Sequence, residues 1–332
     1  MAKSDHRRLL LVGCGQLGSR HLQAVATLAQ VKEIEVVDPR PDALAMGRER
    51  LKETPERSDS TLIRWLSSLD EVSPGGALCI VATQARGRCQ LVQDIAQRLG
   101  YSAFLLEKVV GQSIQEIEAL YAFLAARGSS AWVNLKTRAY PIHRHIKERL
   151  DPADPILFSA MGGNHGLANN GVHTADLFAF YDETAQIDVA GASIDPILHP
   201  SKRGEDLFDL SGTLQGVTEK GSHFVLSYAR DHGLSEQIAI ATRRYRCVVD
   251  HQHRWAVESE EATGWAWRPV SFEGNLLVSH MTAEFVADIL ASGHCQLPTL
   301  EESLVAHRFI LGALRTPFSQ LLEREVELCP VT

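Results

Sequence analysis

Read from the amino terminus, short uninterrupted apolar runs alternate with longer stretches in which apolar residues recur every three or four positions. The runs Leu9–Val12, Ile34–Val37, Ala77–Ala82, Ala103–Leu106 and Ala131–Leu135 predict strands, and Leu17–Ala29, Arg88–Leu99 and Ile114–Ala126 predict amphipathic helices between them. Continuous apolar strands separated by helices are the pattern of a parallel sheet covered on both faces. A doubly wound α/β domain is therefore expected over residues 1–136.

The texture changes after Lys136. A helix is expected at Tyr140–Leu150, and Asp151-Pro152-Ala153-Asp154-Pro155 then breaks the chain, because two prolines discourage helix continuation. Leu207–Leu214, His223–Tyr228, Glu236–Ala241 and Tyr245–Asp250 read as strands that follow one another without intervening helices, the mark of an antiparallel sheet. Helical patterns at Ser279–Ala291 and Leu300–Leu314 close the chain, so residues 137–332 are expected to form a second, α+β domain. The apolar stripe Leu304, Ile310, Leu311 and Leu314 reads as helix core. No internal repeat or low-complexity tract is visible.

Composition narrows the function classes. The chain has 332 residues, 45% hydrophobic and 22% charged, enough for two cores and ordinary for a globular protein, with no apolar run long enough to span a bilayer. The start, Met1 to Arg8, is polar and basic, and Leu9–Val12 is too short for the core of a signal peptide, so a cytoplasmic protein without a membrane partner is expected. A formal net charge of -8 argues against a nucleic-acid surface and for a small-molecule partner. Six scattered cysteines without CxxC spacing read as reduced thiols.

Gly13-Cys14-Gly15-Gln16-Leu17-Gly18 is a GxGxxG that directly follows a predicted strand and opens a predicted helix. In that setting the glycines permit a tight turn, close approach of a pyrophosphate and close helix–strand packing, while the helix start offers N–H groups to the phosphates. Asp38, 20 residues beyond Gly18 at the end of the second strand, can accept both adenosine ribose hydroxyls and would repel a 2′-phosphate. The expected cofactor is NAD in preference to NADP, held by Gly13, Gly15, Gln16, Leu17, Gly18 and Asp38, with Arg40 able to soften that preference.

Two further places carry candidate chemistry. Glu107-Lys108 follows a strand and so stands at the carboxyl edge of the sheet, where an ammonium can hold a substrate hydroxyl near the cofactor; elsewhere such a pair is ordinarily a solvated charge pair. The polar, glycine-rich stretch from Gly162 to Asp176 runs into an apolar helix at Leu177–Tyr181 and reads either as the floor of a site or as a capping turn. There Asn164, His165, Asn170, His173 and Asp176 are candidate substrate contacts, and His173, three residues before Asp176 on one helix face, is a candidate acid/base. The pairs His143/His145 and His251/His253 lack carboxylates or cysteines at ligand spacing, although the second pair would share one face of a strand, and no metal is expected.

Together these pieces resemble the Gfo/Idh/MocA family, the glucose-fructose oxidoreductase and inositol dehydrogenase group. The resemblance rests on Gly13–Gly18, Ile80-Val81-Ala82-Thr83, Glu107-Lys108, Gly171-Val172-His173-Thr174-Ala175-Asp176-Leu177 and Leu297-Pro298-Thr299-Leu300-Glu301-Glu302-Ser303. It implies a Rossmann domain followed by a domain on a large, predominantly antiparallel sheet whose open face often makes dimers or tetramers. It also implies that Lys108 bridges cofactor and substrate, that Glu107 belongs to the same cofactor-facing motif, that Thr83 lines the nicotinamide end and that His173 is the acid/base. The implied reaction is hydride transfer between NAD and a hydroxyl or carbonyl carbon of a sugar derivative. Gly163-Asn164-His165-Gly166-Leu167-Ala168-Asn169-Asn170 resembles a branch associated with bacterial surface sugars.

Some positions depart from the family. Val109 replaces the usual proline after Glu-Lys, so the common cis bond is not expected, since a non-proline cis peptide is costly. Gln84 stands where proline is usual, Arg88 where histidine is frequent, and Asn169, four before His173, where aspartate is frequent. Asn169 thus joins Lys108 and His173 as a candidate catalytic residue, without a carboxylate's charge. Two other readings keep the cofactor: a glycosidase-type reaction with transient oxidation by bound NAD, and a non-enzymatic dinucleotide-binding regulator.

Overall fold

The computed structural model describes residues 8–54, 56–58, 60–163, 166–201, 203–230, 232–274 and 277–332. Asn164 and His165, and the first seven residues of the basic start, lie outside the described residues. The chain divides into two compact units, one made of Met1–Gly111, Gln115–Asn134 and Asn275–Leu300, the other of Gln112–Ile114, Leu135–Gly274 and Glu301–Thr332.

The first unit holds six strands, β1 (Arg8–Val12), β2 (Glu33–Val37), β3 (Leu62–Leu66), β4 (Leu78–Val81), β5 (Ala103–Leu106) and β6 (Ser130–Val133). They form one sheet in the order β3-β2-β1-β4-β5-β6, every pair parallel. The expected apolar runs are all there. β3 went unread because Leu-Ile-Arg-Trp-Leu carries a charge and is only half-buried at the sheet's edge. Helices α1 (Gly18–Val25), α2 (Pro41–Lys52), α3 (Arg88–Arg98) and α4 (Ile114–Ala126) connect the strands.

The second unit begins with helix α5 (Pro141–Lys147), strand β7 (Leu157–Gly163) and helix α6 (Gly171–Asp182). Strands β8 (Asp188–Ile194), β9 (His199–Pro200), β10 (Phe208–Asp209), β11 (Gly212–Val217), β12 (His223–Ala229), β13 (Gln237–Ala241), β14 (Tyr245–Asp250), β15 (Trp255–Glu260) and β16 (Arg268–Pro269) follow. Eight of them form a sheet in the order β16-β15-β14-β13-β7-β12-β11-β8, antiparallel throughout except for β7 beside β12. The run read as one strand over Leu207–Leu214 is two, β10 and β11, since Leu210 and Ser211 carry the chain from a two-stranded ladder with β9 into the large sheet.

Alternation along β12, His223 exposed, Phe224 buried, Val225 half-buried and Leu226 buried, gives the second sheet one covered face. Phe158 and Phe224 on that face meet Phe178 of α6, with ring centroids 5.7 and 5.0 Å apart, and Phe224 meets Phe309, 5.3 Å away, on helix α8 (Leu300–Leu321). Helix α7 (Val278–Ser292) belongs to the first unit, where it packs on α1. Among the described residues no helix is long and apolar enough to cross a membrane.

Candidate functional site

In the first unit the chain leaves β1 through Gly13, whose φ of +89° suits glycine, and a Cβ there would lie 3.0 Å from the backbone of Ala82 and Thr83. A Cβ at Gly18 would lie 1.8 Å from the Gly13 carbonyl oxygen, so the start of α1 seats on the turn only as glycine. Leu17 at the cap offers no side-chain acceptor, and the first turn of α1 holds no acid. That helix start presents N–H groups and the positive end of its dipole, the elements of an anion cradle. Arg50 steadies the loop by donating to the Gln16 carbonyl, the Gln16 side chain and Ser19 Oγ. These residues fit a dinucleotide pyrophosphate.

Asp38 is 4% exposed, and its carboxylate accepts from Cys14 N at 2.8 Å and from Arg40 N at 3.0 Å. It thereby ties the end of β2 to the glycine turn. Arg40 reaches back over that turn: its guanidinium lies 3.4 Å from Asp38, and its end is 3.2 Å from where a Gly15 Cβ would be.

Strand register sets the rest of this edge. Val12 pairs with Val81 and Val81 with Leu106, so Gly13, Ala82 and Glu107, with Thr83 and Lys108 one residue further on, leave the sheet side by side. Lys108 is buried, and the Lys108–Val109 peptide is cis, which corrects the expectation drawn from the missing proline. Arg88, at the start of α3 and 1% exposed, donates to the carbonyls of Glu107 and Val109 at 2.5 Å each and to that of Thr83. A guanidinium with several donors in a fixed fork binds three carbonyls from two loops at once.

Glu107 is wholly enclosed. Burial pushes its carboxyl up, but the hydrogen bond and electrostatic pull of His21, a hydrogen bond from Asn134 and the charge of Lys108 outweigh it and hold it down at about 2. His21 Nε2 stands 2.8 Å from Glu107, and its Nδ1 stands 2.9 Å from the Thr282 hydroxyl, so α1, β5 and α7 meet at one imidazole. Arg88, His21 and Asn134 were not among the expected site residues. Only the replacement at Arg88 marked any of them in the sequence.

In the second unit α6 begins at Gly171, earlier than the apolar run from Leu177 implied, because Thr174–Asp176 bury their polar groups on partners. Asn169, Asn170 and His173 are half-buried while Gly166–Ala168 and Thr174–Ala179 are buried, so these three form the accessible patch at the helix start. Asp176, expected as a substrate contact, is fully buried with both oxygens on Arg138, at 2.7 and 2.8 Å. Burial pushes its carboxyl up to about 6 against the pull of Arg138's charge and hydrogen bonds. The Thr174 hydroxyl donates to Glu236 at 2.8 Å and lies 2.7 Å from the Tyr228 hydroxyl. Asn169 donates from Nδ2 to Asp209 at 2.6 Å, so a carboxylate does stand beside this position.

The histidine pairs have other surroundings. His143 Nδ1 is 2.7 Å from the Tyr181 hydroxyl and His145 Nε2 is 2.9 Å from Glu258. His251 and His253 lie in the turn after β14 rather than on a strand, with His253 3.0 Å from Asp250. Among the described residues no group of three metal-ligating side chains occurs.

No protein-family model matches the sequence, and no curated protein matches it. Solved structures do match. An oxidoreductase from Agrobacterium radiobacter, solved with NAD+, L-tartaric acid and magnesium, superposes with a TM-score of 0.75 at 13% identity, covering 95% of this chain and 97% of that one. A Gfo/Idh/MocA family oxidoreductase from Vibrio cholerae superposes at 0.70 and 16% identity, over 96% of this chain and 99% of that one. The fold is that of the Gfo/Idh/MocA oxidoreductases. UDP-N-acetylglucosamine 3-dehydrogenase from Acidithiobacillus ferrooxidans shares it at a TM-score of 0.68 and 16% identity, over 97% of both chains.

Proposed function

We propose that this chain is an NAD-dependent oxidoreductase that transfers hydride at a hydroxyl-bearing or carbonyl carbon of a sugar derivative. The observation that carries this reading is the register of the first sheet, which sets the glycine turn, Thr83 and Lys108 side by side at one carboxyl edge. A nicotinamide dinucleotide, when bound, supplies the hydride acceptor or donor. Backbone N–H groups of Gly13–Gly18 would hold the pyrophosphate and Asp38 the adenosine ribose hydroxyls, with Thr83 at the nicotinamide end. NAD is favoured over NADP because the Asp38 carboxylate would repel a 2′-phosphate; the nearby Arg40 narrows that gap.

Lys108 would hold the reacting oxygen as a hydrogen-bond donor, with Glu107 fixing the segment from beneath through His21 and Asn134. His173 would take the hydroxyl proton during oxidation and return it during reduction. Asn169 and Asn170 would contact the substrate from the same patch, and Asp176 would act through Arg138 by anchoring the helix. Roles for Asn164 and His165 in substrate binding rest on the sequence alone.

The open face of the second sheet exposes Leu157 and Met161 at 59% and 55%, beside a groove of about 360 Å³ lined by Val225, Ala239, Val248 and Trp267. We assign this face to a homo-dimer or tetramer contact, since an apolar patch of this kind marks an interaction surface.

The test is calorimetric titration with NADH and NADPH, followed by turnover with NAD and a panel of UDP-N-acetylglucosamine, UDP-glucose and myo-inositol. Lys108→Met and His173→Ala should each lose roughly two to four powers of ten in turnover while NADH affinity stays within a few-fold. Failure of the wild type to bind NADH, or near-normal turnover in both variants, overturns the reading. Net reduction of free NAD separates it from a bond-cleaving reaction that returns its hydride.

A further inference from the structure

Helix α3 begins against two loops, and its first residue holds both. The backbone ladder between β4 and β5 runs as far as Glu107 N, which donates to Val81 O at 3.1 Å. Beyond it, Arg88 joins the loop through Thr83 to the segment through Lys108. Its Nη1 donates to the carbonyls of Glu107 and Val109 at 2.5 Å each, and its Nη2 donates to that of Thr83. Cys89, the next residue, adds a thiol contact to Val110 O at 3.7 Å. Arg88 is 1% exposed, so its guanidinium does not trade these carbonyls for water.

Two of the three carbonyls bracket Lys108. A peptide unit is planar, so holding the Glu107 oxygen holds the whole peptide that enters Lys108, and holding the Val109 oxygen holds the one that leaves Val109. The same guanidinium holds the Thr83 carbonyl, and a planar fork keeps its acceptors in one geometry. Bonds from a charged donor are stronger than neutral ones, and a carbonyl left without a donor in this enclosed place would be costly. We propose that Arg88 is a positioning residue that fixes Lys108 relative to Thr83, so that the ammonium meets the reacting oxygen at a set place beside the nicotinamide. The inference rests on the reading of this strand edge as the cofactor and substrate site. A displacement of about 1 Å at a reacting centre costs on the order of a hundredfold in rate. Arg88 therefore acts on turnover more than on dinucleotide affinity, which falls to the glycine turn and Asp38.

The experiment uses the full chain with 15N in the arginine guanidinium and 13C at lysine Cε. Arg88 and Lys108 are assigned by the signals lost in Arg88→Lys and Lys108→Met. In the wild type the Arg88 Nη signals should be separate and slow to exchange with water, and NADH should shift the Lys108 signal. Arg88→Met should move the Lys108 signal in the free protein and remove most of the NADH shift, while NADH affinity stays within a few-fold. Val92→Ala, which hollows the buried face of the same helix without removing any of the three bonds, should leave the Lys108 signal and its NADH shift in place. In the NAD assay with the three-member panel, Arg88→Met should lower kcat by about a hundredfold with KM within a few-fold. Arg88→Lys should recover only part of that loss, since one ammonium does not reproduce the fork. A Lys108 signal that ignores bound NADH or Arg88→Met, or that Val92→Ala moves as far, overturns the proposal. So do merged, fast-exchanging Arg88 Nη signals in the wild type, a result that needs no variant to fold. Failure of the wild type to bind NADH sinks the oxidoreductase reading, and the Arg88 signals and the Lys108 signal of the free protein still decide whether Arg88 joins the two loops.

Discussion

The two sheets solve the same problem in opposite ways. In the first, the central strands are buried on both faces, Leu9–Val12 and Leu78–Val81 without a break, as parallel strands under helices must be. No face is left for a ligand, so polar chemistry collects at the strand ends: Asp38, Thr83, Glu107 and Lys108. In the second, alternation leaves one face under α6 and α8 and the other open, and the candidate chemistry sits not on the sheet but at the start of the helix that covers it.

Their buried carboxylates differ in the same way. Glu107 is held down at about 2 by neutral and cationic donors crowded at a strand end, whereas Asp176, inside a helix, is pushed up to about 6 by burial although Arg138 binds it twice. The consequences for stability have opposite signs. A carboxyl lowered in the folded state contributes stability that is present above its ordinary value and lost as pH falls. One raised in the folded state favours folding at low pH and loses that contribution as pH rises.

The largest effect should come from splitting the Asp176–Arg138 pair. Asp176→Ala leaves a buried guanidinium without its close partner, Glu302 being 3.8 Å from it, and should cost about 3–5 kcal/mol in urea unfolding. Asp176→Leu combined with Arg138→Met should recover most of that, and a single variant within about 0.5 kcal/mol of wild type would show the pair to be solvated.

A smaller loss, about 1–3 kcal/mol near neutral pH, is expected for Glu107→Gln, which keeps the shape but removes the charge that His21 and Asn134 serve. Because the folded value is low, the gap between wild type and variant should close as pH falls from the ordinary 4.5 toward about 2. A gap that instead widened toward low pH would reverse the contrast with Asp176.

Least of all should be felt at the open face. Leu157→Lys should change unfolding by under about 0.5 kcal/mol, since the side chain is 59% exposed, while light scattering should show a lower mass than the wild type if the proposed contact between copies forms through this face. Destabilisation on the scale of Asp176→Ala would mean that the face is not open.

How legible each region was follows from where its signals lie. The glycine turn, Asp38 and the Glu107-Lys108 segment could be read because strand, turn and helix follow one another within a few residues. β7 could not: Leu-Phe-Ser-Ala-Met-Gly-Gly has two glycines and little β-branching, and it is held as a strand by neighbours on both sides, β12 and β13. The roles of polar residues in α6 were the least legible. His173 and Asp176 are three apart, yet one is half-buried at the patch and the other is enclosed.

Sequence alone determined what depends on neighbours along the chain: the alternation of strands and helices, the glycines a phosphate turn requires, and an acid at the end of the second strand. Only the tertiary structure decided which groups meet. Asp176 found Arg138 38 residues earlier, Asn169 found Asp209 40 residues later, and Arg88 gathered carbonyls from two loops. A charge removed from water must be met by whatever lies within about 3 Å in space, and distance along the chain places no limit on that partner.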